Sequence, residues 1–289
     1  MAQRSRRQLA AGFRALVLAF GAALAGAATA GEARLLPAYS HNDYRNDRPL
    51  LKALELGYRG VEADIILVDG ELRVAHGRDE TSPGRTLSAL YLEPLRRIVA
   101  RDGTVLADRT PFQLNVEAKE PGRETYAALR EELARYADLL TVVRDGQVQP
   151  GPVQVVLVGW FPPLAELAAE SPRYAAVQCR WRDLPPGHAA LPAHLLRLVS
   201  FEYRDEFDWQ GEDAPPADFA GRLAAIRATV DAVPGRRLRV LRAPLDRRVY
   251  AALLAGGVDL IGTRELERTR RLLSTCGYLQ RGKVTSPCP

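Results

Sequence analysis

Cysteine is scarce in this chain of 289 residues: there are three, Cys179, Cys276 and Cys288, and none is paired at a metal-binding spacing. Histidine is nearly as rare, with four. Too few nitrogen and sulfur ligands stand at suitable spacing for a zinc hydrolase. Long apolar runs are missing as well; the segment Ala15–Ala27 is too short to span a bilayer. No composition break long enough to be a linker and no internal repeat occurs. A broad excess of positive charge is also absent from most of the chain. The formal charge is +5, but residues 1–30 hold Arg4, Arg6, Arg7 and Arg14 and no acid, which leaves 36 basic against 35 acidic residues in the remainder. A body this close to neutral carries no electrostatic footprint for nucleic acid.

What is present begins with the N-terminus. A basic start, the apolar segment Ala15–Ala27 and the small triplet Ala28-Thr29-Ala30 read as an export signal over residues 1–30. Ser5-Arg6-Arg7-Gln8-Leu9 resembles a twin-arginine signal, with the general secretory route as the alternative. The expectation is a periplasmic or secreted protein with at most peripheral membrane contact. In that compartment Cys276 and Cys288 are near enough in sequence to close a small loop. Cys179, alone on an apolar strand, reads as core filler rather than a nucleophile.

Residues 31–289 are long enough to bury one large core, and 47% of the chain is hydrophobic. Short apolar strands are predicted at Leu35–His41, Gly60–Ile66, Pro111–Lys119, Val153–Val158, Ala175–Cys179, Arg197–Phe201, Arg237–Arg242 and Val258–Gly262. Segments with apolar spacing near three and four fall between most of them: Arg48–Leu56, Ser88–Arg101, Glu124–Tyr136, Pro163–Glu170, Asp218–Val233, Arg247–Ala255 and Glu265–Ser274. This alternation over about 250 residues predicts a single α/β domain, a (β/α)8 TIM barrel; a doubly wound open sheet is the alternative architecture. Asp69-Gly70 and Asp145-Gly146 each predict a two-residue hairpin, and Trp181–Pro192 reads as a long loop.

The titratable residues fall at the predicted strand ends. His41 ends the first strand. Glu62 and Asp64 share a face of the second, and Asn115, Glu117 and Lys119 share a face of the third. In a barrel these strands are neighbours, so the groups converge on one rim. Three carboxylates brought together repel and raise one another's pKa values, which makes a cation the natural resident. Oxygen ligands favour one hard divalent cation, Mg2+ or Ca2+. The hairpin at Asp69-Gly70 brings His76 back towards Glu62 and Asp64; strict counting sets it opposite Ala63, on the other side-chain face.

A histidine ending the first strand, Glu-x-Asp on the second, a histidine after the following hairpin and Glu-x-Lys on the third resemble the glycerophosphodiester phosphodiesterases and the phosphatidylinositol-specific phospholipase C-like barrels. Gly257-Val258-Asp259-Leu260-Ile261-Gly262-Thr263 is similar to that family's last strand. The resemblance implies a (β/α)8 barrel that hydrolyses a glycerophosphodiester or a phospholipid head group. It implies His41 and His76 as the acid/base pair, Glu62, Asp64 and Glu117 as ligands of one divalent cation, and Lys119 on the phosphate. Asn42 and Arg45 are further candidates for substrate contact. The chain departs from the common family pattern at Asn42-Asp43-Tyr44-Arg45, where Arg-Gly is usual, and at Thr263-Arg264, where Thr-Asp is usual. These departures motivate an alternative, an exported barrel that binds a phosphorylated or lipid ligand without turnover. His188 and His194 read as surface residues, Trp160 as rim packing, and Tyr203–Glu206 as a weaker candidate for lining the pocket.

Overall fold

In a computed structural model that describes residues 35–275, the strand and helix periodicities resolve into a closed barrel. Its staves are β1 (Ala38–Ser40), β2 (Gly60–Val68), β3 (Phe112–Ala118), β4 (Val153–Val158), β5 (Ala175–Arg180), β6 (Leu196–Glu202), β7 (Arg237–Leu241) and β8 (Leu260–Thr263). Each pairs in parallel with the next, and β1 pairs with both β8, through Ser40 opposite Thr263, and β2, through Ser40 opposite Val61. That double pairing closes the sheet and excludes the doubly wound alternative. The (β/α)8 expectation is borne out. Residues 1–30 with their export-signal reading, and Cys276 and Cys288 with their pairing, lie outside the described residues.

Helices pack on the outside because their apolar side chains recur on one face. Thr125, Leu129 and Leu133 face inward from Arg123–Ala134, and Phe219, Leu223, Ile226 and Val230 from Phe219–Asp231. Helix Arg247–Ala255 starts at Asp246, whose carboxylate accepts from the amides of Arg248 and Val249. The main core lies between strands and helices. Inside the barrel a small apolar plug of Tyr39, Val156, Leu198, Leu241 and Leu260 forms a second cluster. Gly262 is required there by space: a Cβ on it would come 2.5 Å from the Tyr39 hydroxyl.

Both hairpins form. Asp69 and Gly70 adopt left-handed φ of 52° and 80°, as a tight two-residue turn demands, and the chain returns as strand Glu71–Val74 antiparallel to β2. Asp145-Gly146 joins Val142–Arg144 to Gln147–Gln149. The predicted loop Trp181–Pro192 contains two short 3-10 turns. Among the described residues no helix is long and apolar enough to cross a membrane.

Candidate active site

The C-terminal ends of the barrel strands open into a cavity of about 550 Å³, lined by His41, Glu62, His76, Glu117 and Lys119 among others. Register brings the acids together. Glu62 pairs with Asn115 and Asp64 with Glu117 across β2 and β3, so all four side chains point inward at adjacent levels. One oxygen from each of Glu62, Asp64 and Glu117 lies within 4.8 Å of the others. Gly159 beside Glu117 takes a left-handed φ of 73°, which favours glycine, although a Cβ there would make only an ordinary contact of 3.4 Å with Glu117 Cγ.

Each acid has a distinct setting. Glu62 is 1% exposed, with Oε2 3.1 Å from Arg239 Nη1 and Oε1 3.2 Å from His41 Nε2. Burial pushes its carboxyl up to about 7; Arg239 opposes this, and Asp64 and Glu117 reinforce it. Asp64 is fully buried. Its Oδ2 accepts the Tyr44 hydroxyl at 2.7 Å and lies 2.9 Å from His76 Nδ1, while its Oδ1 has no hydrogen-bond partner. Lys119 Nζ lies 3.3 Å from Glu117 Oε1 and 3.6 Å from Asp64 Oδ2.

His41 and Glu62 do not form an ion pair. Burial, then Arg239, Arg264, Arg242 and Lys119, hold the His41 imidazole down to about 3. With Glu62 raised and His41 lowered, the pair holds a single proton between about pH 3 and 7, and it sits on the carboxyl. Buried between cations, the imidazolium is the costlier charge.

A hard cation fits these residues. The donor set is all oxygen, Asp64 Oδ1 is a buried acceptor with no donor, and the mutual repulsion that raises Glu62 is what a cation reverses.

The structure brings His41, His76, Glu62, Asp64, Glu117 and Lys119 together, as the sequence leads one to expect, but His76 arrives by another route. The ladder with β2 runs to Ile65–Val74 and the Ala75 amide still donates to Asp64 O at 3.2 Å, while Thr86 and Arg85 pair along the other edge of the return strand. The chain bends at His76, which frees its ring from the face that counting assigns and lets it reach Asp64. Asn42, left-handed at φ 50° and buried, also lines the cavity. Arg45 does not line it: its guanidinium pairs with Glu80 on the exposed rim. His188 and His194 are half-buried rather than surface residues, because the buried guanidiniums of Arg236 and Arg173 reach their carbonyls and rings. Glu206 accepts from Trp181 and Arg182, away from the cavity lining, and Trp160 is 38% exposed outside it.

Two residues without a sequence-derived role prove central. Arg239 sits on β7 with its guanidinium 4.6 Å from the Tyr39 ring centroid and bound to Glu62. Its signal was an arginine at an inward position of an apolar strand. Tyr44 holds Asp64; the motif His41-Asn42-Asp43-Tyr44 contains it, but its partner stands 20 residues away. Asp43, fully buried, fixes this loop by accepting from the Leu50 amide at 2.5 Å and the Tyr91 hydroxyl at 3.2 Å.

Comparison with known proteins gives a consistent assignment. A family model described as an AIM6-like phosphodiesterase domain matches residues 29–174. The protein described as "Altered inheritance of mitochondria protein 6 homolog" from Arthroderma benhamiae is 28% identical over 154 residues, which cover 44% of this chain and 48% of that protein. Altered inheritance of mitochondria protein 6 from Lachancea thermotolerans is 34% identical over 145 residues, 43% of this chain and 34% of that protein. The matched region thus spans less than half the length of these relatives. Among solved structures, a glycerophosphodiester phosphodiesterase from Agrobacterium tumefaciens aligns with a TM-score of 0.45 at 16% identity, over 82% of this chain and 98% of that one.

Proposed function

The chain belongs to the AIM6-like phosphodiesterase domain family, and from that premise we propose that it hydrolyses a phosphodiester, a glycerophosphodiester or a phospholipid head group, with the help of one divalent cation. The observation that carries this reading is the convergence of Glu62, Asp64 and Glu117 within 4.8 Å, with His41 on one of these acids and His76 on another. A pure binding site has no use for two imidazoles held in this way.

Glu62, Asp64 through its orphaned Oδ1, and Glu117 would hold Mg2+ or Ca2+. The cation, when bound, supplies positive charge against the non-bridging phosphate oxygens. Lys119 adds a second positive group on the same side and stabilises charge as it builds in the transition state. His41, kept neutral by burial and by the cations around it, takes the proton of the attacking hydroxyl, from water or from a neighbouring alcohol of the substrate. His76 gives a proton to the leaving oxygen. Asp64 holds the Nδ1–H of His76, so that Nε2 is left to face the substrate. Tyr44 keeps Asp64 Oδ2 in place for that role.

The reading extends to an exported location, on the strength of residues 1–30. Phosphorus NMR on a panel of lipid and deacylated diesters, with and without chelator, tests the activity. Product that appears with Mg2+ or Ca2+ and vanishes with EDTA supports it; no product from any diester sinks it.

A further inference from the structure

The acids of the cavity gather on the β2–β3 side, and the opposite side is basic. Arg180 ends β5, Arg242 follows β7 and Arg264 follows β8, and all three line the same cavity as the catalytic groups. Each is exposed at the rim. Arg180 and Arg264 have no hydrogen-bond or ion-pair partner among the described residues. Arg242 has Nε 3.6 Å from Glu202 and adopts a left-handed backbone, φ 53°, which an arginine takes only at a cost. Two further acids line this half, Asp183 and Glu202, fewer than its three arginines. Below the arginines, Gln178 lines the cavity at 7% exposure, and its Oε1 has no donor. A buried acceptor left this way is matched by a hydroxyl or amine of a ligand.

A single phosphodiester carries one negative charge, and Lys119 with the cation of the proposed function already answers it. The three arginines lie across the cavity from that position, and about 550 Å³ is room for far more than one phosphate. We propose that Arg180, Arg242 and Arg264 form a subsite for a second anionic group, phosphate or carboxylate, on the head group of the same substrate, with Gln178 accepting from a hydroxyl between the two anions. Arginine suits the task because its fork binds carboxylate and phosphate through paired N–H donors. The substrate class is then a hydroxylated phosphodiester bearing an additional anionic group. This rests on the phosphodiesterase reading for the first anion only.

Binding separates the two ideas, since it needs no turnover. Calorimetry with Mg2+ present, and again with Ca2+, compares short alkanediol bisphosphates of increasing span with the matching monophosphates. The expected result is about tenfold tighter binding for the bisphosphate of best span, lost in Arg180→Ala/Arg264→Ala. Both arginines are exposed and unpartnered, so the double variant should melt with the wild type. Gln178→Leu should abolish a preference for glycerol 1,3-bisphosphate over propanediol bisphosphate. Equal affinity for mono- and bisphosphates at every span, or a preference that survives in the double variant, overturns the subsite. A preference without turnover of any diester upholds the subsite and refutes the catalytic reading. For the source of the anion, glycerophosphoglycerol with and without a terminal phosphate in solution is set beside phosphatidylglycerol and its phosphate in vesicles. In whichever arm turns over, the phosphorylated member should be faster by about tenfold; an equal rate counts against the subsite.

Discussion

Arg239 and Glu62 lie 177 residues apart and meet inside the barrel, Nη1 to Oε2 at 3.1 Å, each 2% exposed or less. The pair fixes the position of the carboxylate that His41 also touches. Removing one partner of a buried ion pair strands the other, at a cost of about 3–5 kcal/mol. Arg239→Met should therefore lower the unfolding free energy by about that amount in urea titrations at pH 8, where Glu62 is ionised, with Tyr39 also losing its stacked cation. A loss under 1 kcal/mol would mean that Glu62 is held by other contacts.

The proton shared by Glu62 and His41 sets the pH dependence of stability without metal. Glu62 is raised from 4.5 to about 7, so its contribution is fully present below pH 4.5 and is lost as pH rises through 7. His41 is lowered from 6.5 to about 3, so its contribution is present above pH 6.5 and is lost as pH falls towards 3. Between pH 4.5 and 6.5 the slopes oppose and cancel. Urea midpoints in EDTA should be flat across that window and fall on either side as far as this pair governs them.

Metal binding should be proton-linked. Glu62 must ionise to act as a ligand, so affinity for Mg2+ or Ca2+ should fall as pH drops below about 7, towards tenfold per unit. Calorimetry in buffers of different ionisation enthalpy should detect release of up to one proton on binding at pH 6 and less at pH 8. The same ion should raise the melting temperature with the logarithm of its concentration above Kd. Identical affinity at both pH values would argue against Glu62 as a ligand.

His41→Ala and His76→Ala should each lower turnover of a responsive diester by about 10²–10⁴-fold without unfolding the barrel. Circular dichroism checks the fold. Wild-type rates in either variant would remove that histidine from the mechanism.

Tyr44→Phe deletes one hydrogen bond to Asp64 Oδ2 and leaves His76 as the remaining donor there. Loss of about 1 kcal/mol of positioning predicts a roughly fivefold fall in kcat with KM little changed.

Much of the site was legible because strand alternation is local. Glu62 and Asp64 sit two apart, as do Asn115, Glu117 and Lys119, and a period of two is enough to put each set on one face. His76 was legible as a participant but not in its placement. The hairpin turn fixes the register only while the ladder lasts, and the chain leaves it after Ala75 and bends at His76, which no turn rule contains. Arg45 misled in the opposite way: four residues from His41, it is drawn outward by Glu80, 35 residues on.

The sequence by itself determined the alternating elements, the two histidines and the three acids, since each rests on spacing within a few residues and on the chemistry of the side chain. Only the tertiary structure decided which charges meet across the barrel. Arg239 on Glu62, Tyr44 on Asp64, and the basic half built from Arg180, Arg242 and Arg264 all join residues from separate elements of the chain. Their pairing follows from the closure and register of eight strands, a property of the whole ring that no local window carries.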